Sequence, residues 1–98
     1  MTNEAAVANG ALRIEGEMTI YRALELKEML FLPVPVTALD LSAVTELDTA
    51  GVQLLLLAQR AARAAGGDFR LTAPSAAVRE VLQLLGLNQL CTEAGAAA

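Results

Sequence analysis

A chain of 98 residues with a net charge of −4, no histidine, one cysteine and only 3% aromatic residues excludes several kinds of chemistry at once. Without histidine it lacks the commonest general base and metal ligand, and the lone Cys91 can form neither an internal disulfide nor a multi-cysteine zinc site. Few aromatics and no basic run leave no stacking platform and no phosphate-tracking surface for nucleic acid.

The length suits one domain, residues 1–98, with a core of moderate size. Cys91 is expected as a small packed residue. The opening MTNEAAVANG has no basic segment followed by an apolar run, so no secretory signal is expected. No apolar stretch reaches the length of a membrane span, so no direct membrane insertion is expected. These features point to a cytoplasmic protein, and the tail at residues 93–98 is expected to be disordered.

In chain order, AAVAN and ALRIEGEM flank Asn9-Gly10, a strong tight-turn pair that predicts a hairpin. Leu12 and Ile14 alternate with Arg13 and Glu15, as in a half-buried strand. Thr19 is placed to cap a helix over residues 20–30. Its apolar side is assigned to Ala23, Leu24, Leu26 and Leu30, with Arg22, Glu25 and Glu28 facing water. Pro33 and Pro35 stop it.

TALDLS, residues 37–42, reads as a short strand, and residues 43–47 read as a loop. A long helix follows over residues 49–65 and ends at Gly66-Gly67. Phe69 and Leu71 mark another strand. Ser75 caps a third helix over residues 76–85, with an apolar stripe of Val78, Val81, Leu82 and Leu85, and Gly86 ends it. The order ββαβαβα predicts an α/β domain with a small mixed, largely parallel sheet of about four strands and helices packed against it.

The stretch ELDTAGVQLLLLAQRAARAAGG carries the most information. Asp48 suits the N-cap of the long helix. Gly51 in the first turn costs up to about 1 kcal/mol relative to alanine, so close packing of the helix is expected to compensate. At 100° per residue, Gly51, Leu54, Leu55, Ala58, Ala61, Ala62 and Ala65 gather on one side. Thr49, Gln53, Leu56, Arg60 and Arg63 gather opposite. A leucine among polar groups, one to two turns from a hydroxyl at a helix N-terminus, has the makings of a small partner-binding face. That hydroxyl is also a favourable place for a phosphate, which would add about two negative charges to the face and leave the interior alone.

The ordered set LDLSAVTELDTAGVQLLLLAQRAARAAGGDFRLTAPSAAVREVLQLLGL, with LRIEGEMTIYRALELK before it, resembles the STAS domain of bacterial anti-sigma-factor antagonists. The likeness rests on a strand, a loop ending Asp48-Thr49-Ala50-Gly51, a long apolar helix, a strand, and a last helix closing with Gly86-Leu87. It covers nearly the whole chain. The resemblance implies a STAS-like fold and a regulator that switches partners without catalysing a reaction. Thr49 would be its phosphorylation site and Asp48 its neighbour. The expected docking surface is Asp48, Thr49, Gln53, Leu56 and Arg60, with Met18 at one edge, where the family often has Asp after Gly-Glu. Many phosphorylated members carry serine where this chain carries Thr49.

The implied partner is a protein: an anti-sigma factor that is also a serine kinase of the ATP-binding, histidine-kinase-like type. Alternatives that fit the same resemblance are a STAS adaptor bound to the ATPase of a phospholipid-transport ABC complex, and a chemotaxis-type signalling protein, both acting without phosphorylation. An enzyme is not expected, because the chain has no histidine, no glycine-rich phosphate loop and no clustered acid pair. Asp40, Glu46 and Asp48 flank one predicted loop, but their spacing lacks the ligand set of a calcium loop and reads as a solvated loop end. No cofactor or metal is expected.

Overall fold

Two sequence-adjacent strands open the sheet, and two βα crossovers complete it. The computed structural model describes residues 7–8, 10–31, 36–67 and 69–91. β1 (Val7–Ala8) pairs antiparallel with β2 (Ala11–Met18), Ala8 facing Ala11. The expected hairpin is therefore present, with Gly10 at φ +83° in its turn; Asn9 lies outside the described residues. After β2 come a 3-10 turn (Ile20–Arg22) and α1 (Ala23–Leu30). They lead to β3 (Ala38–Leu47), α2 (Thr49–Ala64), β4 (Arg70–Thr72), α3 (Ala76–Leu84) and a closing 3-10 turn (Asn88–Cys91). The sheet order is β1-β2-β3-β4, with β2, β3 and β4 mutually parallel. This is the mixed, largely parallel four-stranded sheet that the sequence predicts. Pro33, Pro35 and residues 93–98 fall outside the described residues.

The largest departure is β3. Residues 43–47, expected as a loop, continue the strand to Leu47. The cause lies in the β2–β3 register. Arg13 faces Asp40 but Glu15 faces Ala43, and Gly16 faces Val44 but Glu17 faces Glu46. β3 thus carries an extra residue at each of two bulges, and each bulge displaces the alternation by one. Leu39, Leu41, Val44 and Leu47 are all buried at spacings of two, three and three. A strict period-2 reading cannot follow such a strand.

The core gathers Leu12, Ile14 and Met18 from β2 with Leu39, Leu41, Val44 and Leu47 from β3. Leu26 and Leu30 of α1, Val52, Leu54, Leu55 and Ala58 of α2, and Val78 and Leu82 of α3 close over it. Ser75 caps α3 as expected, its hydroxyl accepting from the Val78 amide at 3.2 Å. Four apolar assignments need correction. Leu24 is 73% exposed, because two residues of helix place it about 200° from Leu26. Leu85 is 46% exposed, since it stands as the C-cap past the last turn of α3. Ala61 and Ala65 are exposed as well, one at the margin of the buried stripe of α2 and the other beyond its last helical residue.

α2 ends in a tight carbonyl-capping turn. Gly66, at φ +82°, donates to Arg63 at 3.0 Å, and Gly67 donates to Ala62 at 3.0 Å. This is the Schellman pattern, which needs a residue that tolerates the left-handed region.

Candidate functional site

The start of α2 is built around one carboxylate. Asp48 caps the helix as expected, its Oδ1 accepting from the Gly51 amide at 3.0 Å. Its Oδ2 accepts from the Ile20 amide at 2.9 Å. The residue therefore caps two elements, α2 and the 3-10 turn that leads into α1, the second from 28 positions away. Thr19, expected to cap that turn, makes no capping bond; its hydroxyl donates instead to the Glu17 carboxylate. Asp48 has taken the position because its extended backbone, leaving β3, points the side chain between the two starts.

These amide donors, Ile20 first and then Gly51, hold the Asp48 carboxyl below the usual carboxylate range, against an opposing contribution from burial. A depressed folded-state pKa stabilises the fold at pH values above the unfolded pKa of about 4 and loses that contribution as pH falls through the folded value. Asp48→Asn keeps only one acceptor oxygen and can serve only one of the two amides. The expected loss is about 1 kcal/mol at pH 7, shrinking towards zero as the pH falls below the unfolded pKa of about 4 and on through the lowered folded-state value. Urea denaturation of the two proteins across that range checks this; a pH-independent difference would show that the charge plays no part.

Gly51 explains itself in the same corner. A Cβ there would run into the backbone carbonyl oxygen of Met18 and would lie 2.7 Å from Cδ1 of Leu47. The first turn of α2 is thus seated against the end of β2, the close packing expected to offset the glycine. The same contact corrects the role given to Met18. Its side chain is fully buried, and its carbonyl accepts from the Asp48 amide at 3.2 Å. As the last inward-facing residue of β2, it supports the site from beneath and offers nothing to a docking partner.

Thr49, Gln53, Leu56 and Arg60 lie on the outer face of α2, with Thr49, Gln53, Leu56 and Arg60 all exposed. Leu56 is 37% exposed, and Leu57, which the helical wheel does not single out, is 48% exposed. Gln53, Leu56, Leu57 and Arg60 line one shallow groove of about 200 Å³. Asp48 is half-buried, and both its oxygens are engaged by amides. It shapes the corner but is not an open partner-binding group.

A second set of exposed apolar groups stands outside the expected docking surface. Ile20 is 61% exposed and Tyr21 90% exposed, on the turn tied to Asp48, and Leu24 follows them. The sequence carries a signal for it: residues 21, 24 and 28 share one helical stripe, opposite Leu26 and Leu30. Arg22, expected to face water, is half-buried. Its guanidinium donates to the carbonyls of Glu15 at 2.7 Å and Glu17 at 2.6 Å, and pairs with Glu25 at 3.2 Å. It fastens the 3-10 turn to the end of β2.

Asp40, Glu46 and Asp48 are not brought together. Asp40 accepts from the Ser42 amide at 2.9 Å, and among the described residues no three acidic, histidine or cysteine groups cluster as metal ligands do. No helix among the described residues is long and apolar enough to cross a membrane.

Comparison with known proteins places this geometry in context. The sequence matches the family described as "Mlab, STAS domain" over residues 1–92. Among solved structures, the chain resembles a Thermotoga maritima protein provisionally assigned as an anti-sigma factor antagonist, with a TM-score of 0.71 and 22% identity over 87% of this chain and 79% of that one. It also resembles the anti-sigma factor antagonist SpoIIAA in its unphosphorylated form, with a TM-score of 0.62 and 26% identity over 83% of this chain and 75% of that one.

Proposed function

This chain belongs to the STAS domain family, and on that premise we propose that it is a non-enzymatic cytoplasmic regulator that docks a protein partner on the outer face of α2 and is released when Thr49 is phosphorylated. The observation that carries the proposal is the division of labour at the start of α2. Asp48 and Gly51 are committed to the fold, whereas Thr49 between them is exposed. A phosphoryl group on that hydroxyl adds about two negative charges beside Gln53 and Leu56 while the buried side of the helix is left alone. The likeness to the anti-sigma factor antagonist SpoIIAA in its unphosphorylated form supports a partner of the anti-sigma factor type, and control by phosphorylation adds a serine kinase to this reading.

The test is phosphate transfer from ATP by a cognate serine/threonine kinase. Labelling is expected on the wild type and absent from Thr49→Ala; equal labelling of both would remove Thr49 from the mechanism.

A second reading is favoured by one observation. Leu56 and Leu57 expose adjoining apolar surface on α2, which suits a partner that stays bound, such as the ATPase of a transport complex. Stable co-purification with an ATPase, undiminished by ATP and kinase, would select that reading.

A further inference from the structure

The side of α1 turned away from the core is apolar as well. Tyr21 is 90% exposed, Leu24 73%, Ile20 61% and Phe31, the C-cap of the helix, 43%. We propose that this face is a homodimer contact, in which two copies of the chain pack α1 antiparallel about a two-fold axis between Lys27 and Glu28. The inference depends neither on Thr49 nor on the outer face of α2.

Three observations carry it. The first is pattern. Ile20, Leu24, Lys27 and Phe31 recur at spacings of four, three and four, which keeps them on one helical stripe with Tyr21 beside it. Leu26 and Leu30 point the other way, into the core. The stripe therefore takes no part in the interior of its own domain.

The second is charge. Lys27 and Glu28, both exposed, stand about 50° to either side of the line through Leu24 and Phe31. Among the described residues neither takes part in an ion pair. A two-fold rotation about an axis rising from the face between them exchanges its two sides. It sets Lys27 of one protomer against Glu28 of its partner, twice, and by the same operation sets Leu24 on Phe31, twice. A face built in this way is complementary to itself, which is what an isologous contact requires. A bilayer surface, or a partner of one charge sign, would gain from one of the two residues and lose on the other.

The third is area. The four apolar side chains leave on the order of 500 Å² uncovered, near the top of the range for a monomeric protein. Two such faces bury about 1,000 Å², the lower limit for a specific interface. An interface of that size gives weak, concentration-dependent association.

The experiment is sedimentation velocity of the full chain from about 1 μM to about 1 mM, the span over which a contact of this size forms. The average mass is expected to rise from that of one chain towards that of two. Leu24→Glu should hold the protein at one chain throughout, while Leu84→Glu, at a position 81% exposed on α3, leaves the association unchanged. Lys27→Glu and Glu28→Lys should each weaken it at least about fivefold, because each sets like charges together twice. Mixed in equal amounts, these two variants should associate with each other as well as the wild type does with itself, since both contacts then join opposite charges. Wild-type amide resonances followed over the same range should shift most at Leu24, Lys27, Glu28 and Phe31, a readout that stands even if a variant folds poorly. A wild type monomeric to about 1 mM, an equal loss in Leu84→Glu, a mixture no better than its separate components, or shifts centred elsewhere would each overturn the proposal. So would attachment of the monomer to phosphatidylcholine vesicles through Leu24, which would give the face to a lipid surface.

Discussion

Gly51→Ala is expected to destabilise the domain by about 2–3 kcal/mol, although alanine is the better helix former. Intrinsic propensity alone predicts the opposite sign, a gain of about 1 kcal/mol. The added methyl meets the Met18 carbonyl oxygen, a backbone atom held in the sheet, and Cδ1 of Leu47 at 2.7 Å. Leu47 can yield by changing rotamer, but the carbonyl cannot move without dragging the end of β2. Forcing atoms into such a packed corner typically costs about 1–3 kcal/mol, and the Asp48–Ile20 bond spans the same corner. The loss would be a large fraction of the roughly 5–15 kcal/mol that holds a small domain together. Denaturant midpoints of the two proteins decide the sign. An alanine variant as stable as the wild type would mean that α2 is not seated on β2 as closely as described.

Thr49→Glu should separate binding from folding. Position 49 is exposed at the first residue of α2, where a carboxylate interacts favourably with the helix dipole, while the nearby Asp48 opposes it. The two effects nearly cancel, and the midpoint should stay within about 0.5 kcal/mol of wild type. Affinity for the protein partner should nevertheless fall at least about tenfold, or about 1.4 kcal/mol, because the new charge must be desolvated against the docking surface. Thr49→Ala, with the hydroxyl removed and no charge added, should retain affinity. A stability loss above about 1 kcal/mol would make Thr49 structural, and unchanged capture would show that charge at this position does not control docking.

Much of this architecture is legible in the sequence because local rules and the fold agree. The Asn9-Gly10 turn, the Gly66 stop, the Ser75 cap and the apolar stripe of α2 each have a local cause, and the structure shows the elements they imply. What the chain hides is non-local. The second half of β3 looks like a loop because its two bulges arise from the register with β2, which no window of β3 alone contains. The Asp48–Ile20 bond joins residues 28 apart and displaces Thr19 from the capping role that proximity suggests. Met18 fails as a surface residue for a similar reason. Its place in a motif suggests a docking edge, but the pleat of β2 turns its side chain inward. Leu24 is a different case, since a wheel drawn as carefully for α1 as for α2 places it outside.

That shared carboxylate has a consequence for motion. The 3-10 turn at residues 20–22 and the first turn of α2 are held by two oxygens of one side chain. A rearrangement of that one side chain would release both turns at once, which couples their local opening. A partner that grips Ile20 and Tyr21 would thereby stiffen the backbone around Thr49 without touching it, and so alter how readily an enzyme could reach that hydroxyl.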